Sequence, residues 1–194
     1  MASRKTVFQK NEYYHIYNRG ANRINIFRSE ENYYYLLRLI KKYFITLNIS
    51  IISYCLMPNH YHFLLRQDSD FTISQFIQAL FNSYTKAFNK MYGRSGTLFE
   101  GAFKSIHIYS HEYLVYLCRY IHRNPIEAEA PLVNKLQDWK FSNYPEWLNL
   151  RNGILVDKNF IKDMFEDNQS YRKFVEEYTP PPKLQEKLVK YLLE

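Results

Sequence analysis

The chain has 194 residues, 46% of them hydrophobic, which predicts one domain with a packed core and excludes a disordered chain. Two cysteines, Cys55 and Cys118, are too few for a disulfide framework or a four-thiolate zinc site. No apolar run approaches the roughly 18 residues of a membrane span, so we expect a soluble protein of a reducing compartment, with no membrane partner.

The charge is unevenly distributed along the sequence. The formal net charge is +7, and residues 1–125 carry a net +9 whereas residues 126–194 carry a net −2. Nineteen tyrosines and fourteen phenylalanines accompany this basic charge. Because basic groups bind phosphates and aromatic faces stack on unpaired bases, the composition favours single-stranded nucleic acid as a partner. A basic, tyrosine-rich globule without that partner has the same composition, and this alternative stays open.

The first half of the chain alternates between strand and helix patterns. Residues 13–19 are aromatic and β-branched, which predicts a strand ending at Gly20. Ser29 predicts a helix N-cap, and apolar residues at helical spacing continue to Asn48. Residues 49–57 and 60–66 predict two closely joined strands, because Pro58 and Asn59 form a turn between them.

The second half repeats the pattern and adds an extension. A helix over 72–91, a glycine-bearing basic loop at 93–96 and a strand over 102–109 lead to a helix capped by Ser110. We expect that helix to end at Asn124, because Pro125 blocks its continuation. The order predicts an α+β, ferredoxin-like split βαβ fold with a central antiparallel sheet flanked by helices. We expect this domain to span residues 1–150, and a C-terminal helical tail, with a helix near 170–178, to span 151–194.

Two histidines in the predicted hairpin form a candidate metal half-site. Side chains alternate along a strand, so His60 and His62 lie on one face and Tyr61 on the other. Neutral imidazoles suit divalent transition ions. The following Phe63, Leu64 and Leu65 exclude the His-x-His-x-Asp-His hydrolases and the histidine-triad nucleotide hydrolases. The alternative that both histidines have a purely structural role in the strand stays open.

The helix predicted between Ser110 and Asn124 supplies groups that could complete a metal site with these histidines. Tyr116, Tyr120 and Asn124 are spaced i, i+4 and i+8, so they share one stripe beside the core-facing stripe. An amide oxygen is a suitable third ligand for a hard divalent ion, and a phenol beside a metal-polarised phosphate is a suitable nucleophile.

These motifs carry a resemblance to a known family. The His60-Tyr61-His62 segment resembles the HUH motif (histidine, bulky hydrophobic, histidine), and Tyr120 with Asn124 resembles the nucleophile helix of single-tyrosine HUH transposases. Over residues 8–150 the chain looks most like the REP-associated tyrosine transposases, relatives of the insertion-sequence enzymes. The similar blocks are 14–20, 93–96, 98–105 and 119–125.

The resemblance implies a metal-dependent endonuclease and strand transferase acting on single-stranded hairpin DNA of REP or insertion-sequence-end type. Tyr120 would be the nucleophile that forms a 5′-phosphotyrosine, and His60, His62 and Asn124 would hold Mg²⁺ or Mn²⁺. Asparagine as third ligand is typical of the REP-associated branch. The resemblance also implies a bacterial, cytoplasmic, nucleoid-associated protein, with a monomer favoured and a homodimer left open. A catalytically inactive hairpin-binding protein is the alternative, and a replication initiator or relaxase is disfavoured by the short chain.

Further polar residues are candidates for supporting roles. Glu100 and His15 could orient a metal ligand, although a surface ion pair explains Glu100 equally well and a buried structural role is favoured for His15. We expect the remaining histidines, His107, His111 and His122, to lie on the surface or in the core. Each candidate phosphate contact is, taken alone, also explained as a solvated charge. These candidates are Arg19, Arg23, Arg94, Lys104, Arg119 and Arg123.

Overall fold

The computed structural model describes residues 6–177, 179 and 182. Within this part of the chain, four strands form one antiparallel sheet in the order β2-β3-β1-β4. The strands are β1 (Tyr13–Arg19), β2 (Ile49–Met57), β3 (His60–Gln67) and β4 (Lys104–Ile108). With a helix after β1 and another after β3, this order confirms the predicted α+β, split βαβ arrangement.

Two long helices cover one face of the sheet, α1 (Glu30–Leu47) and α2 (Ile73–Met91). Thr72 begins α2 with a capping box, in which its hydroxyl accepts from the N–H of Gln75, and at the start of α1 the amide oxygen of Asn32 accepts from the N–H of Ser29. Asn48 ends α1 in a left-handed conformation, at φ 49°. The apolar stripes of both helices pack on Tyr14, Ile16 and the other residues that point to this face.

The opposite face of the sheet is covered by α3 (His111–Glu127), α4 (Tyr144–Trp147), α5 (Lys158–Met164) and α6 (Asn168–Glu177). The central side chain of this second core is Trp147, which is buried and donates its indole N–H to the carbonyl of Ile52 at 3.0 Å. Leu117, Ile121 and Tyr171 pack around it. The helix that carries Tyr120 is therefore held between the sheet and the C-terminal helices.

The structure corrects two sequence predictions. The prediction that α3 ends at Asn124 is wrong, because the helix continues through Pro125 to Glu127. Pro125 lies in the last turn, where its missing N–H removes one bond, and the N–H of Ala128 still binds the carbonyl of Asn124 at 3.1 Å. The strand predicted over 102–109 is shorter, since β4 covers only Lys104–Ile108, and the short helices α4 and α5 are additional to the predicted elements.

The C-terminal extension is helical as far as it is described. The helix predicted near 170–178 is α6, and the part of the predicted tail that follows it lies largely outside the described residues. Tyr171 and Val175 of α6 share the core of α3, and the domain boundary at residue 150 stays a prediction. Among the described helices, none is both long and apolar enough to cross a bilayer.

Candidate active site

The two central strands bring the predicted histidines to the face that α3 covers. Tyr61 and Phe63 of β3 point into the core under α1 and α2, so His60 and His62 point the other way. In the antiparallel register of β1, Arg19 is paired with His60 and Tyr17 with His62. The end of the sheet where β1 finishes and β3 starts therefore presents imidazole, phenol and guanidinium groups on one surface.

Helix α3 places its polar stripe directly over these histidines. The ring of Tyr120 meets the ring of His62 edge-on, with the centroids 5.4 Å apart. One turn later, the amide oxygen of Asn124 lies 3.4 Å from Nε2 of His60. The amide is held in this orientation, because its Nδ2 donates to the carbonyl of Tyr120 at 2.9 Å. All four residues predicted for the catalytic centre therefore come together within one chain.

Hydrogen bonding defines which nitrogen of His60 is available to a ligand. Nδ1 lies 2.7 Å from the amide oxygen of Asn59, and this short contact assigns the ring proton to Nδ1. Nε2 then carries a lone pair directed towards Asn124. Burial lowers the pKa of His60, the contact with Asn124 opposes this shift, and the nearby Arg19 adds to it. The neutral ring is the form that binds a metal.

His62 lies deeper than His60 and is 0% exposed. Its Nδ1 lies 3.0 Å from Nε2 of His15, whereas its Nε2 is buried and finds no hydrogen-bond partner among the described residues. Burial and then the neighbouring imidazoles of His60 and His15 lower the pKa of His62 well below its usual value. A buried nitrogen without a partner is uncommon in folded proteins and marks a position where a ligand can bind.

The donor set fits a hard divalent cation. No three His, Cys, Asp or Glu residues in the described part of the chain lie together as a metal site, so the candidate site depends on an amide oxygen. Nε2 of His60 faces Oδ1 of Asn124, and Nε2 of His62 lacks a partner. Two imidazole nitrogens and an amide oxygen suit Mg²⁺ or Mn²⁺ when water or a phosphate oxygen completes the coordination.

An ion pair lies at the edge of this site. The guanidinium of Arg19 binds both carboxylate oxygens of Glu100, with Nη2 and Oε1 3.1 Å apart. The backbone strengthens the connection, because the N–H of Glu100 donates to the carbonyl of Arg19 at 3.0 Å. Glu100 therefore orients Arg19, which is paired with His60 in the β1–β3 register.

Of three other predicted DNA contacts, Lys104 and Arg23 are exposed and Arg94 is half-buried. Lys104 is exposed, and its Nζ lies 5.9 Å from the centre of the Tyr17 ring, at the edge of the site. Arg23 is exposed in the turn after β1. Arg94 lies over the ring of Phe88, in the loop between two glycines with positive φ. Their contacts with DNA stay predictions.

The last two predicted DNA contacts bind the C-terminal helix. Arg119 is 8% exposed, and its Nε donates to the carbonyl of Phe174 at 3.2 Å. Arg123 donates to the carbonyls of Val175 and Glu176 at 3.1 and 3.3 Å. Cations at the C-terminus of a helix satisfy its last carbonyls and its dipole. The geometry thus gives both arginines a role in docking α6 onto α3.

The sequence patterns did not identify two members of the site, Tyr17 and Asn59. Tyr17 stacks on His15 and His62, with centroid distances of 4.7 and 5.9 Å, and Asn59 orients His60. The alternation of β1 places Tyr17 on the same face as His15, so the pattern contained this signal. His122 belongs to the core, where its ring binds Tyr171 and Asn143 at 2.6 and 2.8 Å.

Comparisons with known proteins identify the family to which this chain belongs. A family model described as "Transposase IS200 like" matches residues 8–124, and the chain belongs to this family. No curated protein matches the chain. The solved structures that resemble it include a REP-associated tyrosine transposase bound to a REP hairpin and a transposase of Deinococcus radiodurans R1 described as putative in its name.

The two structural matches differ in extent. The first has 17% sequence identity and a TM-score of 0.62, and the match covers 81% of this chain and 94% of the other. The second has 16% identity and a TM-score of 0.42, and covers 63% of this chain and 96% of the other. The first match establishes that this chain has the fold of a REP-associated tyrosine transposase.

Proposed function

We propose that this chain is a metal-dependent endonuclease and strand transferase that acts on single-stranded DNA bearing a hairpin. The observation that carries the proposal is the convergence of four side chains from two elements. Tyr120 and Asn124 of α3 lie against His62 and His60 of β3. A nucleophile beside a set of cation ligands is the arrangement that phosphoryl transfer to a protein side chain requires.

In the proposed reaction, the hydroxyl oxygen of Tyr120 attacks the phosphorus of a phosphodiester. A bond forms between the phenol oxygen and phosphorus, the bond to the 3′-oxygen breaks, and the phenol loses its proton. The products are a 5′-phosphotyrosine and a free 3′-hydroxyl. Because the ordinary pKa of a phenol is near 10, the phenolate is a better leaving group than a sugar alkoxide. A 3′-hydroxyl can therefore reverse the step and join strands.

The cation ligands define what the chain would contribute to this reaction. His60, His62 and Asn124 would hold Mg²⁺ or Mn²⁺, which as a Lewis acid withdraws charge from a non-bridging phosphate oxygen. Arg19, held by Glu100 next to His60, is positioned to bind a neighbouring phosphate oxygen. Tyr17 and Tyr120 flank His62 and limit the access of water to it.

The charge and the fold support hairpin DNA as the substrate. Residues 1–125 have a net charge of +9, which favours a polyanion, and the exposed Lys104 and Arg23 add to that surface. The structural relative with the same fold is bound to a REP hairpin. We therefore assign a hairpin of REP or insertion-sequence-end type to this chain, which would act at the nucleoid of the bacterial cytoplasm.

The site also favours a monomer as the active unit. Tyr120 lies beside the histidines of its own chain, so the proposed catalytic centre needs no residue from a second copy. We propose that cleavage occurs in cis and that a monomer is sufficient for it.

A covalent-adduct assay tests the proposed function. A labelled hairpin oligonucleotide with a single-stranded flank is incubated with the protein and Mn²⁺ or Mg²⁺, and products are separated on a denaturing gel. We expect a covalent protein–DNA product that Tyr120→Phe abolishes. Tyr116→Phe is the matched control, because Tyr116 lies one turn earlier on α3 and packs towards Phe174 of α6. Hairpin binding without any adduct would instead support the inactive DNA-binding alternative.

A further inference from the structure

Two buried histidines on neighbouring strands are joined by a hydrogen bond beneath the proposed metal site. Nε2 of His15 and Nδ1 of His62 are 3.0 Å apart, and both side chains are 0% exposed. The rings are nearly parallel, with 19° between their planes. The two outer nitrogens, Nδ1 of His15 and Nε2 of His62, have no hydrogen-bond partner within residues 6–177.

One proton lies between the two rings, and its position determines what His62 can do. A neutral imidazole has one N–H and one lone pair. If His15 donates, the proton of His62 is on Nε2, and that nitrogen cannot bind a cation. If His62 donates from Nδ1, its Nε2 carries a lone pair and can bind one. Only the second arrangement is compatible with His62 as a metal ligand.

The hydrogen bonds among the described residues do not favour either arrangement. When His15 donates, the N–H on Nε2 of His62 is buried without a partner. When His62 donates, the N–H on Nδ1 of His15 is buried without one. Each arrangement therefore leaves one unpaired donor, and a cation at Nε2 of His62 would select the second. The neighbouring rings of Tyr17 and Tyr120 hold both imidazoles in place.

We propose that His15 is a positioning residue of the metal site, whose Nε2 accepts the Nδ1 proton of His62 and so leaves Nε2 of His62 free to bind the cation. This inference rests on the proposed function, because it takes His62 as a ligand. The inference requires residue 15 to place a hydrogen-bond acceptor at the position of Nε2. A side chain of similar size without that acceptor would fill the space but would not fix the tautomer.

A matched pair of substitutions separates the acceptor from the packing. His15→Gln offers an amide oxygen near the position of Nε2, and His15→Met has the same chain length without a hydrogen-bond acceptor of comparable strength. Mn²⁺ affinity is measured from the electron paramagnetic resonance signal of the free ion, and urea unfolding reports the stability of each variant. We expect His15→Met to weaken Mn²⁺ binding roughly 10–100-fold, as is usual for partners of metal-binding histidines, and His15→Gln to restore most of it.

Nuclear magnetic resonance of the histidine ring nitrogens in the unsubstituted protein provides a second readout. With Mg²⁺ bound, we expect the proton of His62 on Nδ1. A proton on Nε2 in that state, or equal Mn²⁺ affinity in His15→Met and the parent, would overturn the inference while leaving the proposed function intact. If the parent protein binds no Mn²⁺, the proposed metal site itself is wrong. The nitrogen spectrum tests the inference even if His15→Met fails to fold.

Discussion

The amide oxygen of Asn124 and Nε2 of His60 face each other across 3.4 Å, and with the ring proton on Nδ1 of His60 both atoms are hydrogen-bond acceptors. A hydrogen bond fixes the orientation of each side chain. Nδ2 of Asn124 donates to the carbonyl of Tyr120, and Nδ1 of His60 donates to Asn59. Two lone pairs held against each other repel unless a positive group lies between them. This pair is the strongest local indication that the site is built for a cation.

Replacing the amide oxygen tests this interpretation. We expect Asn124→Leu to weaken Mn²⁺ binding by at least about tenfold, or about 1.4 kcal/mol, because one oxygen donor is lost. Asn124→Asp retains an oxygen and adds negative charge, so we expect it to bind Mn²⁺ at least as tightly as the parent. Isothermal titration with Mn²⁺ measures both. Parent-like affinity in Asn124→Leu would remove Asn124 from the site.

The predicted DNA contacts should separate into two groups when they are substituted. We expect Arg119→Gln to lower the free energy of unfolding by roughly 1.5–3 kcal/mol, because a charged hydrogen bond to α6 is lost. We expect Lys104→Gln to leave stability unchanged and to reduce the slope of log affinity against log salt concentration by about 1, as one phosphate contact would.

Urea unfolding and hairpin binding over a range of salt concentrations measure these two effects. The assignment of Arg119 to the docking of α6 would be contradicted if Arg119→Gln changed the salt slope and left unfolding unaltered. A Lys104→Gln protein with the parent salt slope would exclude Lys104 from the DNA surface.

The buried ring of His122 should make the protein sensitive to acid. Burial lowers its pKa to about 4, below the ordinary value of 6.5. As the pH falls below 6.5, the unfolded chain takes up a proton that the folded protein does not, so stability is lost as the pH falls towards 4. The slope is at most about 1.4 kcal/mol per pH unit, and the total is on the order of 3 kcal/mol.

His122→Gln provides the comparison, because glutamine does not titrate. The free energy of unfolding in urea is measured for both proteins between pH 7.5 and 4.5. We expect the parent to lose more stability over this range than the variant does. His15, whose pKa burial lowers to about 3, contributes equally to both proteins and cancels in the difference. Equal slopes would contradict the lowered pKa, because they would show that His122 binds its proton equally in the folded and unfolded states.

Local patterns determined most of the fold. The predicted limits of β1, α1 and β2 agree with the structure, because Gly20, Ser29 and Asn48 mark chain positions that need particular caps or turns. The predictions fail where tertiary contacts determine the limits or the presence of a helix. Pro125 is tolerated inside α3, and α5 has only Phe160 and Ile161 buried, so its apolar pattern is short.

The candidate site was predictable where side chains that are close in sequence share one face of a strand or a helix. Strand alternation and helical spacing determine which side chains share a face, and this was enough to group His60 with His62 and Tyr120 with Asn124. Neither rule states which strands are neighbours. The contact between His15 and His62, 47 residues apart, depends on the pairing of β1 with β3. The docking of Arg119 and Arg123 on α6 likewise depends on tertiary packing.

Mapping the covalent linkage would test the identity of the nucleophile most directly. The protein–DNA adduct is digested with nuclease and trypsin, and mass spectrometry locates the nucleotide. Cleavage after Arg119 and Arg123 isolates Tyr120 in the peptide of residues 120–123. The proposed function predicts a nucleotide joined to this peptide through its 5′-phosphate. A nucleotide on the peptide that contains Tyr17 or Tyr116, or a linkage through a 3′-phosphate, would contradict it.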